Sequence, residues 1–287
     1  MDSPDISMLS INRCATGGRP LVNITLPVLN EEKLLAVSIP RLTAFCSDHA
    51  EYVYEIVIVN NGSTDRTQAV AEELCQSHRC MRVLTLEKRG RGRALREAWT
   101  TSSANLLCYM DIDLSTDLGC FPSLIGGLVS GNYDLAIGSR LLPGAHTTRC
   151  LRREAISRCY NFLVKMIFQN RFSDAQCGFK AITRSAAVEL LPLVEDNAWF
   201  FDTELLLWAE RLGYRVCDVA VRWVENSESR VCIPRTALED LKGLVRVRRR
   251  FARAKCDWRF GKRLDPAQVP AVHLRRSSES SALEEDT

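Results

Sequence analysis

Two aspartates, Asp111 and Asp113, follow the apolar segment LLCYM, which has the composition of a buried strand. In an extended chain, side chains two residues apart point to the same side, so the two carboxylates would lie together. Close carboxylates at a strand end suit a hard divalent cation, Mg²⁺ or Mn²⁺, that holds a diphosphate. Two solvated acids in a loop could have the same spacing. Of these two interpretations, a metal site is favoured because a buried strand precedes the pair.

A basic segment that contains two glycines, EKRGRGRAL, follows another strand-like segment. Gly90 would let the backbone approach a phosphate, and Lys88 with the neighbouring arginines would add positive charge. The dinucleotide-binding fingerprint needs a third glycine where Leu95 stands, and the P-loop signature does not occur. The sequence therefore argues against a dehydrogenase and a P-loop NTPase, and a solvated basic turn remains the alternative interpretation of this loop.

The elements that must position these groups alternate between strand and helix. Short apolar runs, typical of buried strands, cover residues 21–29, 54–60, 82–87, 105–111 and 133–139. Helical patterns lie between them, which predicts an α/β fold with a doubly wound, mostly parallel sheet and helices on both faces. Ligands of such sheets bind at the carboxyl ends of the strands, where polar residues follow each run in this sequence.

Composition excludes several classes of protein. The 38 basic and 35 acidic residues nearly balance, and no nucleic-acid-binding motif stands out, so we expect no nucleic-acid partner. Twelve cysteines form no C-x-x-C pair and only four histidines accompany them, which argues against structural zinc and favours reduced cytosolic thiols. The longest uncharged stretch is shorter than the roughly 20 apolar residues of a spanning helix, and no apolar signal core begins the chain.

The composition also changes along the chain. We expect a mobile lead-in over 1–19, a folded α/β domain over 20–235, a basic amphipathic helical extension over 236–265 and a disordered tail over 266–287. In the extension, residues 236–255 form a helical pattern that would place Leu241, Leu244 and Phe251 on an anionic membrane surface. The alternative is that this helix packs on the domain.

Six segments in order carry a resemblance: LPVLNEE, VNNGSTDRT, the glycine loop, MDIDLSTD, GSR and SDAQCGFKAITR. In these the chain closely resembles the family 2 glycosyltransferases with the GT-A fold, and among them the polyprenyl- or dolichyl-phosphate sugar synthases. The resemblance implies an inverting enzyme that moves a hexose from a UDP- or GDP-sugar to polyprenyl phosphate. It further implies a place at the cytoplasmic face of the membrane, peripherally bound, with a membrane-protein partner as a further expectation.

The resemblance also assigns roles to residues of this sequence. Nucleotide-sugar binding falls to Pro27, Asn30, Glu31, Asn60, Asn61, Lys88, Gly90, Asp111, Gln176 and Arg230. Acceptor-phosphate binding falls to Arg140, Arg153 and Ser157, metal binding to Asp111 and Asp113, and catalysis to Asp174, Arg140 and Asp113. Two asparagines stand where relatives usually carry an acidic pair, and Ser115 stands where relatives often carry a glutamine.

Two other functions remain open at this point. A GT-A enzyme with a soluble or protein hydroxyl acceptor would need Asp174 as a true general base, because a hydroxyl must lose its proton. A nucleotide-sugar-binding module without turnover would be favoured by the paired asparagines and Ser115.

Overall fold

The computed structural model describes residues 18–225 and 233–253. Strands β1–β9 are Leu21–Val28, Val53–Asn60, Met81–Thr85, Leu106–Met110, Leu135–Ser139, His146–Thr148, Phe179–Thr183, Val216–Ala220 and Arg222–Val224. Helices α1–α8 are Glu32–Asp48, Thr67–Ser77, Arg91–Thr101, Phe121–Val129, Leu151–Phe168, Arg184–Leu190, Phe201–Arg211 and Ile233–Arg253. The predicted α/β fold is confirmed.

Seven strands form one sheet in the order β3-β2-β1-β4-β7-β5-β8, and β6 pairs with β9 beside it. Within the large sheet only β7 runs antiparallel to its neighbours, β4 and β5. Its amino end therefore lies at the same edge as the carboxyl ends of β1, β2, β4 and β5. The loop before Phe179 is thus brought to the edge where ligands bind in such sheets.

Both faces of the sheet are buried, which explains the continuous apolar runs in the strands. Along β4, Cys108 and Met110 pack with α1, α2 and α4 on one face. Leu107 and Tyr109 pack on the other face with α3, α6 and α7. This alternation fixes the register of β4 and so fixes where Asp111 emerges.

The strand-like segment 216–224 forms two strands of different sheets rather than one. Val221 separates β8 from β9: its N–H donates to Ser139 of β5, and its carbonyl accepts from the N–H of His146. The chain changes sheets at this residue, which carries Trp223 toward the edge that holds the polar strand ends.

Helix α8 packs on the domain through the face that the membrane hypothesis placed on lipid. Leu244 and Val247 are buried in the core, and Phe251 contacts the ring of Trp208 at a centroid distance of 4.7 Å. Leu244 and Phe251 therefore do not face a membrane, whereas Leu241 is 47% exposed. Among the helices of the described ranges, none combines the length and apolar character that crossing a bilayer requires.

Candidate active site at the carboxyl ends of the strands

The Asp111 carboxylate lies just beyond β4 and is held by an arginine. Arg91, in the first turn of α3, donates from Nη2 to Asp111 Oδ1 at 2.7 Å. A Cβ atom on Gly178 would lie 1.9 Å from Asp111 Oδ2, so only glycine leaves room for this carboxylate. Burial raises the pKa of Asp111, although Arg91 opposes that shift and Asp113 adds to it.

Arg91 contacts a buried cluster of polar and charged side chains formed by Tyr109, Lys180 and Asp202. The Lys180 ammonium lies 3.2 Å from Asp202 Oδ1, and Tyr109 donates its hydroxyl proton to the same carboxylate. The Arg91 guanidinium lies over the rings of Tyr109 and Trp199, at 5.2 and 4.9 Å from the ring centroids. Because each buried charge has a partner of opposite sign, the cluster can hold Arg91 at Asp111 without an uncompensated charge.

Arg140 and Asp174 form a buried ion pair that joins β5 to the loop before β7. Arg140 donates from Nε and Nη2 to the two Asp174 oxygens, at 2.7 and 3.0 Å, and its backbone N–H adds a third bond at 3.2 Å. Burial alone would raise the pKa of Asp174, but the charge and hydrogen bonds of Arg140 outweigh it, and the pKa is lowered. The Trp223 ring covers the guanidinium at 5.5 Å.

The contacts of this pair favour Asp174 as a positioning group over Asp174 as a general base. Its carboxylate is fully buried, both oxygens accept from Arg140, and its lowered pKa makes it a poor proton acceptor near neutral pH. Asp174 instead positions Arg140, whose Nη1 is not part of the pair.

Four of the residues assigned to the nucleotide are held by hydrogen bonds in and between the loops that follow β1, β2 and β3. Asn30 has a φ of 55° and accepts from the Thr64 N–H at 2.7 Å, while the Glu31 N–H donates to the hydroxyl oxygen of Thr67 at 2.8 Å. Asn61 Oδ1 accepts from the Gly90 N–H at 2.7 Å. These bonds fix the two loops against each other beside the cleft between β1 and β4, the point where the strand order reverses.

Two further nucleotide residues are placed by the sheet itself. Pro27 pairs in register with Val59 of β2 but lies past the last pair between β1 and β4, so its missing N–H breaks no bond on that side. The buried Asn60 side chain accepts from the Ser63 N–H and donates to Gln68, each within the loop and helix that follow β2.

The glycine loop differs from the expected phosphate cradle. The N–H groups of Gly92 and Arg93 donate to the carbonyls of Ala198 and Asn197, at 3.2 and 3.1 Å. A Cβ on Gly90 would lie 2.2 Å from the Asn197 carbonyl oxygen. The N–H groups of Gly92 and Arg93 are therefore used in packing on the segment before α7. The exposed Lys88 remains the candidate of this loop for binding phosphate.

The acceptor residues predicted on α5 lie on two sides of that helix. Arg153 pairs with Glu225 at 2.8 Å near the surface. Ser157 is buried, and its hydroxyl lies among the buried polar atoms for which the described residues offer no hydrogen-bond partner. One turn later Asn161 accepts from the Ala175 N–H, so this face of α5 points at the loop that carries Asp174. Arg230 lies outside the described residues.

Asp111 and Asp113 fit a divalent cation by their donor chemistry. Asp113 Oδ1 accepts from the Ser115 N–H at 3.0 Å, which leaves the other oxygen unused in that turn. In the described part of the chain, no three His, Cys, Asp or Glu side chains gather as a metal site. Two carboxylates suffice for Mg²⁺ or Mn²⁺ when the remaining ligands are diphosphate oxygens and water.

Gln176 connects the site to α8 through a buried carboxylate. Its Nε2 donates to Asp240 Oδ2 at 3.0 Å, while Asp240 Oδ1 is buried without a hydrogen-bond partner. Burial, followed by the charge of Asp196, raises the pKa of Asp240 to about 7. Between the usual aspartate pKa of about 4 and this value, the folded protein binds a proton that the unfolded chain has lost.

We therefore expect Asp240 to weaken folding as the pH rises from about 4 to about 7. Asp240→Asn should gain stability relative to the natural protein over that window and keep the gain at pH 8. Urea unfolding at pH 5 and pH 8 measures the difference, with Glu73→Gln, an exposed acid on α2, as the control. If the free energies of unfolding of Asp240→Asn and the natural protein differ by the same amount at both pH values, the pKa of Asp240 is not raised in the folded protein.

Arg91, Lys180, Asp202 and Gly178 are components of the site to which the sequence analysis gave no specific role. For Asp202 the signal was an acid within the apolar run WFFDTELLLW, which suggests a buried partner as readily as a helix cap. For Arg91 the signal was only its place in a basic loop, where nothing distinguished it from the neighbouring arginines.

Comparison with known proteins places this architecture among sugar-transferring enzymes. The family model described as glycosyl transferase family 2 matches residues 24–191. Glycosyltransferase AglD of Haloferax volcanii is 35% identical over 229 residues, which are 78% of this chain and 36% of that protein. The chain thus spans about a third of the length of AglD.

A second relative is covered more fully. Dolichyl-phosphate beta-glucosyltransferase of Drosophila melanogaster is 31% identical over 224 residues, 73% of this chain and 69% of that protein. Glucosyl-3-phosphoglycerate synthase from Mycobacterium tuberculosis, solved with UDP, superposes with a TM-score of 0.60 at 18% identity and covers 86% of each chain. That likeness shows the fold, which is GT-A.

Proposed function

The chain belongs to glycosyl transferase family 2, and on that premise we propose that it transfers a hexose from a nucleoside diphosphate sugar to a polyprenyl phosphate of the dolichyl type. The observation that carries the proposal is the Arg140–Asp174 pair. It provides a fixed cation for an anionic acceptor, and it holds the Asp174 carboxylate in an ion pair with a lowered pKa, which disfavours its use as a base. The names of the similar dolichyl-phosphate glucosyltransferases support the same acceptor.

The reaction needs little proton transfer. A phosphate monoester has its second pKa near 6, so the acceptor oxygen is largely ionised at neutral pH. That oxygen forms a bond to the anomeric carbon from the face opposite the diphosphate, and the bond from that carbon to the diphosphate oxygen breaks with its electron pair. Arg140, which binds phosphate well because of its planar guanidinium, would hold and orient the acceptor.

The leaving diphosphate lies, in this proposal, beside Asp111 and Asp113. Mg²⁺ or Mn²⁺ held mainly by Asp113 would supply positive charge to the leaving group. Asp111 is already paired with Arg91 and would orient the sugar or ribose rather than carry the main metal bond. Lys88 would add positive charge to the diphosphate, and the family resemblance assigns the same role to Arg230.

A lipid acceptor requires contact with a membrane, and two adjacent helices offer a surface for it. On α5, Leu151, Phe162 and Met166 are exposed, at 86%, 66% and 66%. On α8, Leu241 and Val245 are half exposed beside basic residues of the same surface. Exposed apolar side chains flanked by cations favour peripheral binding to anionic lipid.

We place this contact at the cytoplasmic face. The nine cysteines of residues 18–225 and 233–253 that the structure describes as free thiols include exposed Cys80, Cys150 and Cys159. Free exposed thiols are typical of a reducing compartment.

Neutralising the exposed cations of α8 should weaken membrane binding. Lys242, Arg248 and Arg249 are exposed, whereas Arg250 pairs with Glu204 and is left in place. Each cation near an anionic leaflet contributes about 1 kcal/mol, so replacing all three by Gln should reduce binding to vesicles containing phosphatidylserine about 100-fold. Sedimentation with anionic and with neutral vesicles measures the effect, and unchanged binding to anionic vesicles would contradict this surface.

The function itself is tested by a screen of donors. Purified protein is incubated with dolichyl phosphate, Mg²⁺ or Mn²⁺, and one radiolabelled donor at a time: UDP-glucose, UDP-N-acetylglucosamine or GDP-mannose. We expect one donor to give label that extracts into organic solvent and depends on the lipid. Label that appears only as free sugar with every donor would overturn the proposal.

A further inference from the structure

Trp199 is a large aromatic side chain that stays exposed directly before two buried ones. Its exposed fraction is 41%, whereas Phe200 and Phe201 are buried in the core beneath it. A tryptophan at such a position presents a broad apolar surface with a polar N–H at its edge, which suits contact with a ligand that is apolar on one side and polar at its rim.

The segment that carries Trp199 is held in place from several sides. The Asp196 N–H donates to Glu204, the Ala198 N–H donates to Asp196, and the carbonyls of Asn197 and Ala198 accept from the first turn of α3. The exposure of the ring is therefore fixed by backbone hydrogen bonds rather than being one position of a loose loop.

One face of the ring is already occupied. The Arg91 guanidinium stacks on Trp199 at 4.9 Å from the ring centroid, and the same guanidinium binds Asp111 at 2.7 Å. Arg91 thus joins Trp199 to the carboxylate that the proposed function places beside the sugar diphosphate. The ring and the Asp111 carboxylate therefore contact the same guanidinium.

From this arrangement we propose that Trp199 is the platform on which the hexosyl group of the donor rests. The inference relies on the proposed function and identifies the residue that recognises the sugar part of the donor. A hexopyranose presents C–H groups on one face and hydroxyls around its edge, so it fits an aromatic surface bordered by charged hydrogen-bonding groups. Trp199 supplies that surface, and Arg91 and Asp111 supply the charged border.

The test compares a ligand that has the sugar with one that lacks it. Affinities for UDP-glucose and for UDP, each with Mn²⁺, are measured by calorimetry for the natural protein, Trp199→Ala and Trp199→Phe. We expect Trp199→Ala to lose about tenfold in affinity for UDP-glucose and less than twofold for UDP, and Trp199→Phe to retain most of both. Tyr133→Ala, a partly exposed aromatic before β5 at the opposite edge of the sheet, should change neither.

Three results would overturn the inference, and they have different meanings. An equal loss for UDP and UDP-glucose would show that Trp199 stacks on the base or acts only by holding Arg91 at Asp111. Unchanged affinity for both ligands in Trp199→Ala would show that the ring contacts no part of the donor, while leaving the proposed function intact. Failure of the natural protein to bind UDP-glucose, UDP-N-acetylglucosamine and GDP-mannose alike would overturn the proposed function and this inference with it.

Discussion

Asp113→Asn is expected to lower the turnover number at least 100-fold while leaving the free energy of unfolding nearly unchanged. A neutral amide is a poor ligand for a hard cation, and loss of one group that stabilises charge in a transition state typically costs 10²–10³ in rate. The fold should tolerate the change because an amide oxygen can still accept the Ser115 N–H that closes the turn.

The measurement is the rate of hexose transfer at saturating donor, together with urea unfolding of both proteins. Asp48→Asn is the matched control, since Asp48 is an exposed aspartate at the far end of α1. Transfer by Asp113→Asn at the natural rate, with the same dependence on Mn²⁺ or Mg²⁺, would remove Asp113 from the site.

Asp174→Asn is expected to destabilise the protein by about 3 kcal/mol or more and to reduce transfer strongly at every pH. Removing one partner of a buried ion pair leaves the other charge buried and unpaired, here Arg140, whose side chain is 12% exposed. The acidic limb of the rate profile should stay near the phosphate pKa of about 6, because Asp174 is not the base.

A double variant separates the role of Asp174 in positioning Arg140 from its contribution to the free energy of unfolding. Arg140→Met combined with Asp174→Leu removes both charges, and such apolar replacements of a buried pair are often neutral for stability. We expect the double variant to unfold at nearly the natural urea concentration yet to lack transfer, since Arg140 is gone. An Asp174→Asn protein of natural stability whose acidic limb disappears would instead identify a general base and a hydroxyl acceptor.

The sequence predicted the strand ends well because local patterns determine them. The apolar run before Asp111 ends where β4 ends, to within one residue, and alternation of buried side chains needs no distant information. The pairing of Arg140 with Asp174 could not be predicted in this way. It depends on β7 lying antiparallel between β4 and β5, which brings together residues 34 positions apart.

The C-terminal helix shows a second limit of sequence patterns. An amphipathic basic helix has the same periodicity whether its apolar face meets lipid or a protein core. The deciding residue is Glu204, a carboxylate buried in α7 that binds Arg246 and Arg250 at 2.7 and 3.2 Å. Glu204 lies 42 and 46 residues before these two arginines in the chain. The sequence of α8 alone therefore does not indicate that its arginines have an acidic partner.

In the proposed reaction the acceptor is an ionised lipid phosphate held by Arg140 without a general base. It is tested most directly by comparing dolichyl phosphate with dolichol, the same lipid ending in a hydroxyl, as acceptors for the donor that supports activity. We expect transfer to dolichyl phosphate and none above background to dolichol. Transfer to dolichol at a comparable rate would contradict it.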